Sequence, residues 1–250
     1  MGYRFMRNVK MTIQYDGSRY LGWQRLGDSD KTIQGKIENV LGVMTGEDIE
    51  VIGSGRTDAG VHAIKQVANF HTQSNMPLNA MLDYCYRYLP EDIVVLDMQE
   101  VDEKFHSRYN AKAKKYLYRI WNERLHNPFY RKYTCHIPEA LDIDLMQAAA
   151  RYLVGEHDYT SFTSLKSKKK SKVKKVYSID IDKKDKIIDI MFYGNGFLYN
   201  MVRIMAGTLI EVGLGKISPD SMENILKGKD RSLAGYTAPS NGLFLYDVEY

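Results

Sequence analysis

Residues 53–73 read GSGRTDAGVHAIKQVANFHTQ: three glycines in eight residues, then a run in which apolar side chains return at short intervals. What this turn joins decides the fold. Gly55 and Gly60 match the first six positions of a phosphate-cradling loop, but Val61 and His62 stand where that loop needs lysine and then serine or threonine. The dinucleotide pattern fails too, because Asp58 occupies the place of its third glycine after Gly53 and Gly55. Residues 63–73 read as a strand, as does IEVIGSGR at 49–56, so the turn lies between two strands.

Working outward, NVKMTIQYDG (8–17) alternates Val9, Met11 and Ile13 before an Asp-Gly turn and is expected to be a strand. TIQGKIENVLGVMTG (32–46) puts Ile33, Ile37, Val40, Leu41 and Met44 on one helical face, with Gly46 as its C-cap. A helix over 76–90, closed before Pro90, and a strand over 91–102 complete the order β-α-β-β-α-β. The second half repeats it: strand 111–121, helix 141–155, a hairpin within 173–194, helix 197–215, a short helix at 218–228 and a last strand at 242–250. The expectation is α+β, two ferredoxin-like or RNA-recognition-like halves with mostly antiparallel sheets, residues 1–104 and 105–250. The halves share a pattern and no visible sequence similarity.

At 250 residues and 44% hydrophobic content the chain can build a large core. No run of about 18 apolar residues spans a bilayer and the start lacks a secretory apolar segment, so a soluble cytoplasmic protein without membrane contact is expected. Cys85 and Cys135 stand apart, with no zinc spacing and no disulfide framework. The net charge of +4 conceals an asymmetry. Residues 1–104 carry 11 Lys and Arg against 15 Asp and Glu, whereas the rest carries 24 against 16. A basic second half implies an anionic partner. Seven of its lysines crowd into KSKKKSKVKK (166–175), which reads either as a phosphate-binding loop or as a solvated one.

The chemistry-bearing residues are few. Asp58 is a lone carboxylate on a glycine-flanked turn, which allows close approach to a ligand, and Arg56 beside it would keep it ionised. Equally, Asp58 could serve an Asx-type turn by bonding its own backbone. A metal site would need more ligands than Asp58 and His62, so no metal is expected. In AKAKKYLYRIW, strand alternation puts Lys112, Lys114, Tyr116 and Tyr118 on one face. Cations and flat rings together suit phosphates and bases, although the tyrosines could equally pack in a core. Arg203 sits in the otherwise apolar helix FLYNMVRIMAGTLIEVG, beside a stripe of Leu198, Met201, Val202, Met205, Leu209 and Val212. A cation there either finds an anionic partner or extends to the surface along its aliphatic stem.

GSGRTDAGVHAIKQVANFHT, preceded by YDGSRYLGWQR and TIQGKIE and followed by FHSRYNAKAKKYLYRIWN, NPFYRK, GNGFLYNMVRIMAG and YTAPSNGLFLYDVEY, resembles the TruA family of tRNA pseudouridine synthases. The matches run in order along nearly the whole chain. The resemblance implies a cofactor-free isomerase that turns uridine into pseudouridine in the anticodon stem-loop of tRNA, at positions 38 to 40, and works as a homodimer. It implies two ferredoxin-like halves joined into one extended sheet, with helices on one face and a basic cleft between the halves. It places the nucleophile at Asp58, its ion-pair partner at Arg203, the base-stacking ring at Tyr116 and a pocket-lining side chain at Leu243, with Arg56 and His62 beside the substrate. Lys112, Lys114, Lys168, Lys169 and Lys170 would bind RNA. Where the family pattern has Thr-x-Arg this chain reads Lys172-Val173-Lys174, and Lys65 and Ile204 stand in place of Gly and Asn. Those departures touch substrate choice and none of Asp58, Tyr116 or Arg203, so a different RNA such as ribosomal RNA is the competing expectation; an RNA-binding protein without catalysis is a third, which the intact Asp58, Tyr116 and Arg203 argue against.

If the lysine run meets phosphates, replacing Lys168, Lys169 and Lys170 with alanine should lower the slope of log K against log salt by about 2 to 3. An unchanged slope in RNA-binding titrations would mark the run as merely solvated.

Overall fold

The computed structural model describes residues 6–27, 29–165, 167 and 171–250. Lys168, Lys169 and Lys170 lie outside the described residues. The chain divides into two compact units, Met1–Lys112 with Leu245–Tyr250, and Ala113–Phe244.

The first unit runs β1 (Arg7–Tyr15), α1 (Ile33–Thr45), β2 (Ile52–Gly53), β3 (His62–Thr72), α2 (Leu78–Tyr88) and β4 (Ile93–Val101). Antiparallel pairing of β1 with β4, of β1 with β3 and of β2 with β3 gives the order β4-β1-β3-β2. This is the arrangement expected of a βαββαβ unit. Val9, Met11, Ile13 and Tyr15 of β1 are all buried, as their alternation requires. Thr32 caps α1 by accepting from Gly35 N at 3.3 Å, and Gly46, at φ +72°, ends it by donating to Gly42 O at 2.8 Å. Ile33, Ile37, Val40 and Leu41 are buried, while Met44 is half-buried. Glu38, on the same helix, is buried as well. Its Oε1 accepts from Val51 N at 3.0 Å and from Gln34 Nε2 at 2.8 Å, which ties α1 to the approach of β2.

The expected strand at 49–56 shrinks to the two residues of β2, because the chain leaves the sheet at Ser54 to build the glycine-rich turn. Residues 245–250 are held in this unit by Lys112 N donating to Glu249 O at 2.8 Å and by the Tyr250 hydroxyl donating to Ser107 O at 2.7 Å.

The second unit runs β5 (Ala113–Asn122), β6 (Cys135–Ile137), α3 (Ile143–Tyr152), β7 (Gly155–Asp158), β8 (Val173–Lys184), β9 (Ile187–Gly194), α4 (Met201–Gly213) and α5 (Ser221–Gly228). β10 (Leu243–Glu249) begins in this unit and ends in the first. The strands order as β5-β9-β8-β7, all antiparallel, with β6 short and parallel on β5. By chain order β5, α3, β8, β9, α4 and β10 repeat the βαββαβ pattern, so the chain is α+β with mostly antiparallel pairing.

Two expectations about the second unit change. The helix read over 197–215 starts at Met201, because Asn200 adopts a left-handed conformation (φ +60°) just before it. And α4 buries nearly its whole circumference, Ile204, Ala206, Thr208 and Ile210 as well as the expected stripe, so it is a core helix rather than a one-faced one. Among the described residues no helix is long and apolar enough to cross a membrane. Cys85 and Cys135 are free and buried, and burial pushes the Cys85 thiol up to about 12, which leaves it a small apolar side chain with little thiolate character.

Candidate active site

The glycine-rich turn between β2 and β3 is held from two sides. On the strand side, Ser54 N donates to Val67 O at 2.7 Å, Ser54 Oγ donates to Gln66 Oε1 at 2.7 Å, and Gln66 Nε2 donates to Gly55 O at 3.0 Å. On the other side lies the segment that follows β1. The Tyr15 hydroxyl shares a 2.7 Å hydrogen bond with Thr57 Oγ1, Trp23 N donates to Thr57 O at 3.0 Å, and Gly60 N donates to Tyr20 O at 3.3 Å. Burial pushes the Tyr15 phenol well above its ordinary range, so it works as a neutral hydrogen-bonding group.

Two glycines make that contact possible. A Cβ on Gly17 would sit 1.9 Å from Val61 O, and one on Gly22, at φ +105°, would sit 2.6 Å from Thr57 O. Within the turn Val61 N donates to Asp58 O at 3.1 Å, and Gly60 takes φ +77°. The result is a half-buried Asp58 on a backbone fixed at Thr57, Gly60 and Val61, with Arg56 exposed beside it. His62 is buried at the start of β3, where its Nδ1 accepts from Gly17 N at 3.1 Å and lies 3.1 Å from Asp16 Oδ1. Its ring thus holds the turn at 15–18 against β3.

In the second unit Tyr116 is half-buried on β5, its ring edge-on to Phe197 at 5.3 Å between centroids. Tyr118, read with it as one binding face, is instead fully buried and donates to Pro239 O at 2.9 Å. The expectation for Tyr118 is therefore corrected: the 238–239 segment covers that end of the face, and burial holds its phenol well above the ordinary range. Arg203, half-buried on α4, donates from Nε to Ala238 O at 2.8 Å and from Nη1 to Asn200 Oδ1 at 3.2 Å. Its guanidinium is thus aimed by two local acceptors rather than trailing into solvent. Leu243 is buried as the first residue of β10. Lys114 is half-buried opposite Gly194, whereas Lys112, in the first unit, is exposed. Asp58, Arg56, His62 and Lys112 thus belong to one unit, and Tyr116, Lys114, Arg203 and Leu243 to the other.

The supporting residues Tyr15, Thr57, Gln66 and Asn200 were not singled out from sequence. Tyr15, Gly17 and Gly22 lie in the quoted YDGSRYLGWQR, but only the fold shows that this segment backs the Asp58 turn. Among the described residues no group of three or more His, Cys, Asp or Glu is placed to hold a metal ion.

The pattern of the tRNA pseudouridine synthase family matches residues 11–110 and 149–250. The chain belongs to the tRNA pseudouridine synthase family. The match includes the Asp58 turn, its backing segment, Arg203 and Leu243, while Tyr116 falls in the intervening stretch. Full-length relatives agree. A tRNA pseudouridine synthase A from Bacillus sp. (strain KSM-64) is 54% identical over 245 residues, covering 98% of this chain and all of that protein. A tRNA pseudouridine synthase A 1 from Clostridium tetani is 52% identical, and a tRNA pseudouridine synthase A 2 from Bacillus cereus 51%, with the same coverage. A chain from the crystal structure of a Cbf5-Nop10-Gar1 complex matches at 12% identity with a TM-score of 0.39, over 95% of this chain and 48% of that one.

In this pseudouridine synthase the Tyr15 hydroxyl is the buried partner of Thr57. Tyr15→Phe leaves Thr57 Oγ1 without it, and a buried polar group stranded in this way costs about 1–3 kcal/mol. Urea denaturation should show that loss, and unchanged stability would mean that the Tyr15–Thr57 bond does not brace the turn.

Proposed function

We propose that this chain isomerises uridine to pseudouridine in tRNA, in the anticodon stem-loop at positions 38 to 40, with Asp58 as the nucleophile. The observation that supports Asp58 best is its presentation: a half-buried carboxylate on a turn fixed by buried hydrogen bonds on both sides. Catalysis gains from a reacting group already held in place. The reaction breaks the bond between the ribose and N1 of uracil and rejoins the ribose to C5. The C5 proton leaves and N1 gains one, so water is not consumed and a single nucleophile suffices.

A paired uracil must first leave the stem, at a cost of a few kcal/mol, and a flat ring at the pocket offsets part of that. Tyr116 is the side chain for that role, with Leu243 lining the pocket. Arg203 is the ionic partner of Asp58, and with Arg56 it favours the charged carboxylate in a pocket from which water is partly excluded. The preset aim of the Arg203 guanidinium toward Ala238 O and Asn200 Oδ1 supports that role, since a held cation spends less side-chain entropy on a partner. The same reading carries a homodimer acting in the cytoplasm without a cofactor.

The test is to map pseudouridines in total RNA from cells with and without the protein. Loss at tRNA positions 38 to 40 is expected, and loss confined to ribosomal RNA would refute the substrate. Purified Asp58→Asn should bind tRNA and form no pseudouridine; retained turnover would sink the nucleophile assignment. Arg203→Lys should keep part of the activity and Arg203→Ala very little, and equal activity in the two would remove Arg203 from the ion pair.

A further inference from the structure

We infer that the turn at 123–134, which leaves the end of β5, is a second RNA contact: a stacking platform for an unpaired base of the substrate, away from the target uridine. The inference rests on the reading of this chain as an RNA-modifying enzyme. Residues 124–133 read RLHNPFYRKY, with Arg124, Arg131 and Lys132, three aromatic rings and no carboxylate. Phe129 is 87% exposed, and Tyr130 and Tyr133 are 41% and 38% exposed. A single exposed phenylalanine is ordinary on a protein surface. Three rings interleaved with cations in ten residues are what an unpaired strand needs, since the cations meet phosphates and any base can lie on a ring.

The platform is built rather than trailing. Trp121, on β5, stacks under Tyr130 at 5.3 Å and 15° between planes, and its Nε1 donates to Leu125 O at 2.8 Å. Asn127 Oδ1 accepts from Phe129 N at 2.9 Å, and its backbone O accepts from Arg131 N at 3.0 Å. Asn241 Nδ2 donates to Arg131 O at 2.9 Å and to Thr134 O at 2.8 Å, fastening the far end. Phe129 is therefore presented on a fixed turn, so little conformational entropy is lost when a base settles on it.

The flanking acid is already engaged. Glu123 lies 3.0 Å from Lys186 Nζ and accepts from Arg124 N at 2.9 Å, and Lys186 first and then Arg124 hold its carboxyl below the usual range, so this one acid is shared between Lys186 and Arg124 and leaves the turn with a cationic excess. Charge also decides the class of partner. Three cations and no carboxylate in residues 124–133 complement a polyanion. Tyr116 and Trp121 are five residues apart on β5, or about 17 Å at the rise of an extended strand, so the nucleotide held here is not the one that reaches Tyr116.

The experiment measures binding by fluorescence anisotropy for two labelled probes, a full-length tRNA transcript and a ten-nucleotide single-stranded RNA. Wild type is compared with Phe129→Ala, Phe129→Tyr and the double variant Arg124→Glu/Arg131→Glu. Phe129→Ala should weaken both probes roughly 5- to 150-fold, the range of one lost base stack, and Phe129→Tyr should restore binding to within about twofold. The charge variant should weaken both and flatten the salt dependence. Ultraviolet crosslinking of 4-thiouridine-substituted tRNA should recover the peptide that contains Phe129. Unchanged affinity of Phe129→Ala for both probes would overturn the proposal. So would sedimentation showing that Phe129→Ala only dissociates a dimer while RNA affinity is kept. A wild-type protein that forms no pseudouridine in tRNA, yet loses RNA affinity on Phe129→Ala, would defeat the substrate reading and leave the platform standing.

Discussion

The first unit depends on one close approach: the backbone of residues 57–61 lies directly against the backbone at Gly17 and Gly22, with no room for a Cβ at either glycine. Glycine in this turn system therefore serves contact more than flexibility. Once Thr57 O accepts from Trp23 N and Gly60 N donates to Tyr20 O, the turn cannot drift from the segment behind it. Val61 and His62 then enter β3 in register with β1, Tyr15 opposite Ala63. A turn that looks loose in sequence is thus among the most constrained parts of the fold.

That constraint is maintained by polar groups that would be expensive if left unpaired. Ser54, Thr57, His62 and Gln66 are all buried, and each has a hydrogen-bond partner in the turn or its backing. An apolar core of similar shape would give comparable stability, but it would not fix where each backbone oxygen points. Buried polar networks define a single arrangement because every alternative strands a donor or an acceptor. Glu38 extends the same logic to α1, whose carboxylate accepts from Val51 N and so sets the point at which the chain enters β2.

The element order was legible because the dominant signals are local. The alternation in β1, the Gly46 cap of α1 and the helix-ending Pro90 act within a few residues of the elements they define. What could not be read depends on distant contacts. β2 is cut to two residues because the turn is claimed by Tyr15 and Gln66, from two other strands. Tyr118 looks like Tyr116 in sequence, and only the arrival of Pro239, 121 residues later, buries one hydroxyl and leaves the other ring half-exposed. The short, cation-poor β6 and β7 carry too few residues for periodicity to register. Asp58 could be picked out as the lone carboxylate of its turn, whereas its supports could not, because Tyr and Gln inside strands look like any other strand residues.

The uneven charge of the chain bears on how an RNA would be chosen. Attraction to phosphates depends little on sequence, so on the proposed function the basic excess after residue 104 would supply affinity for any RNA and select none. Selection then has to come from shape, through groups whose positions are fixed. On the proposed roles, two rings on or beside β5 meet that need: Tyr116, set edge-on against Phe197, and Phe129, carried on a turn braced by Trp121 and Asn241. A β-strand is a stiff spacer, and the odd separation of Tyr116 and Trp121 puts their side chains on opposite faces of β5, so an RNA that meets both Tyr116 and the platform over Trp121 has to pass round the strand rather than lie along one face. A folded stem-loop that holds its unpaired bases apart does so at a small cost in entropy, whereas an unstructured strand of the same charge has to be ordered first. Stacking at two fixed points would thus let an enzyme with a largely nonspecific charge field discriminate by RNA fold.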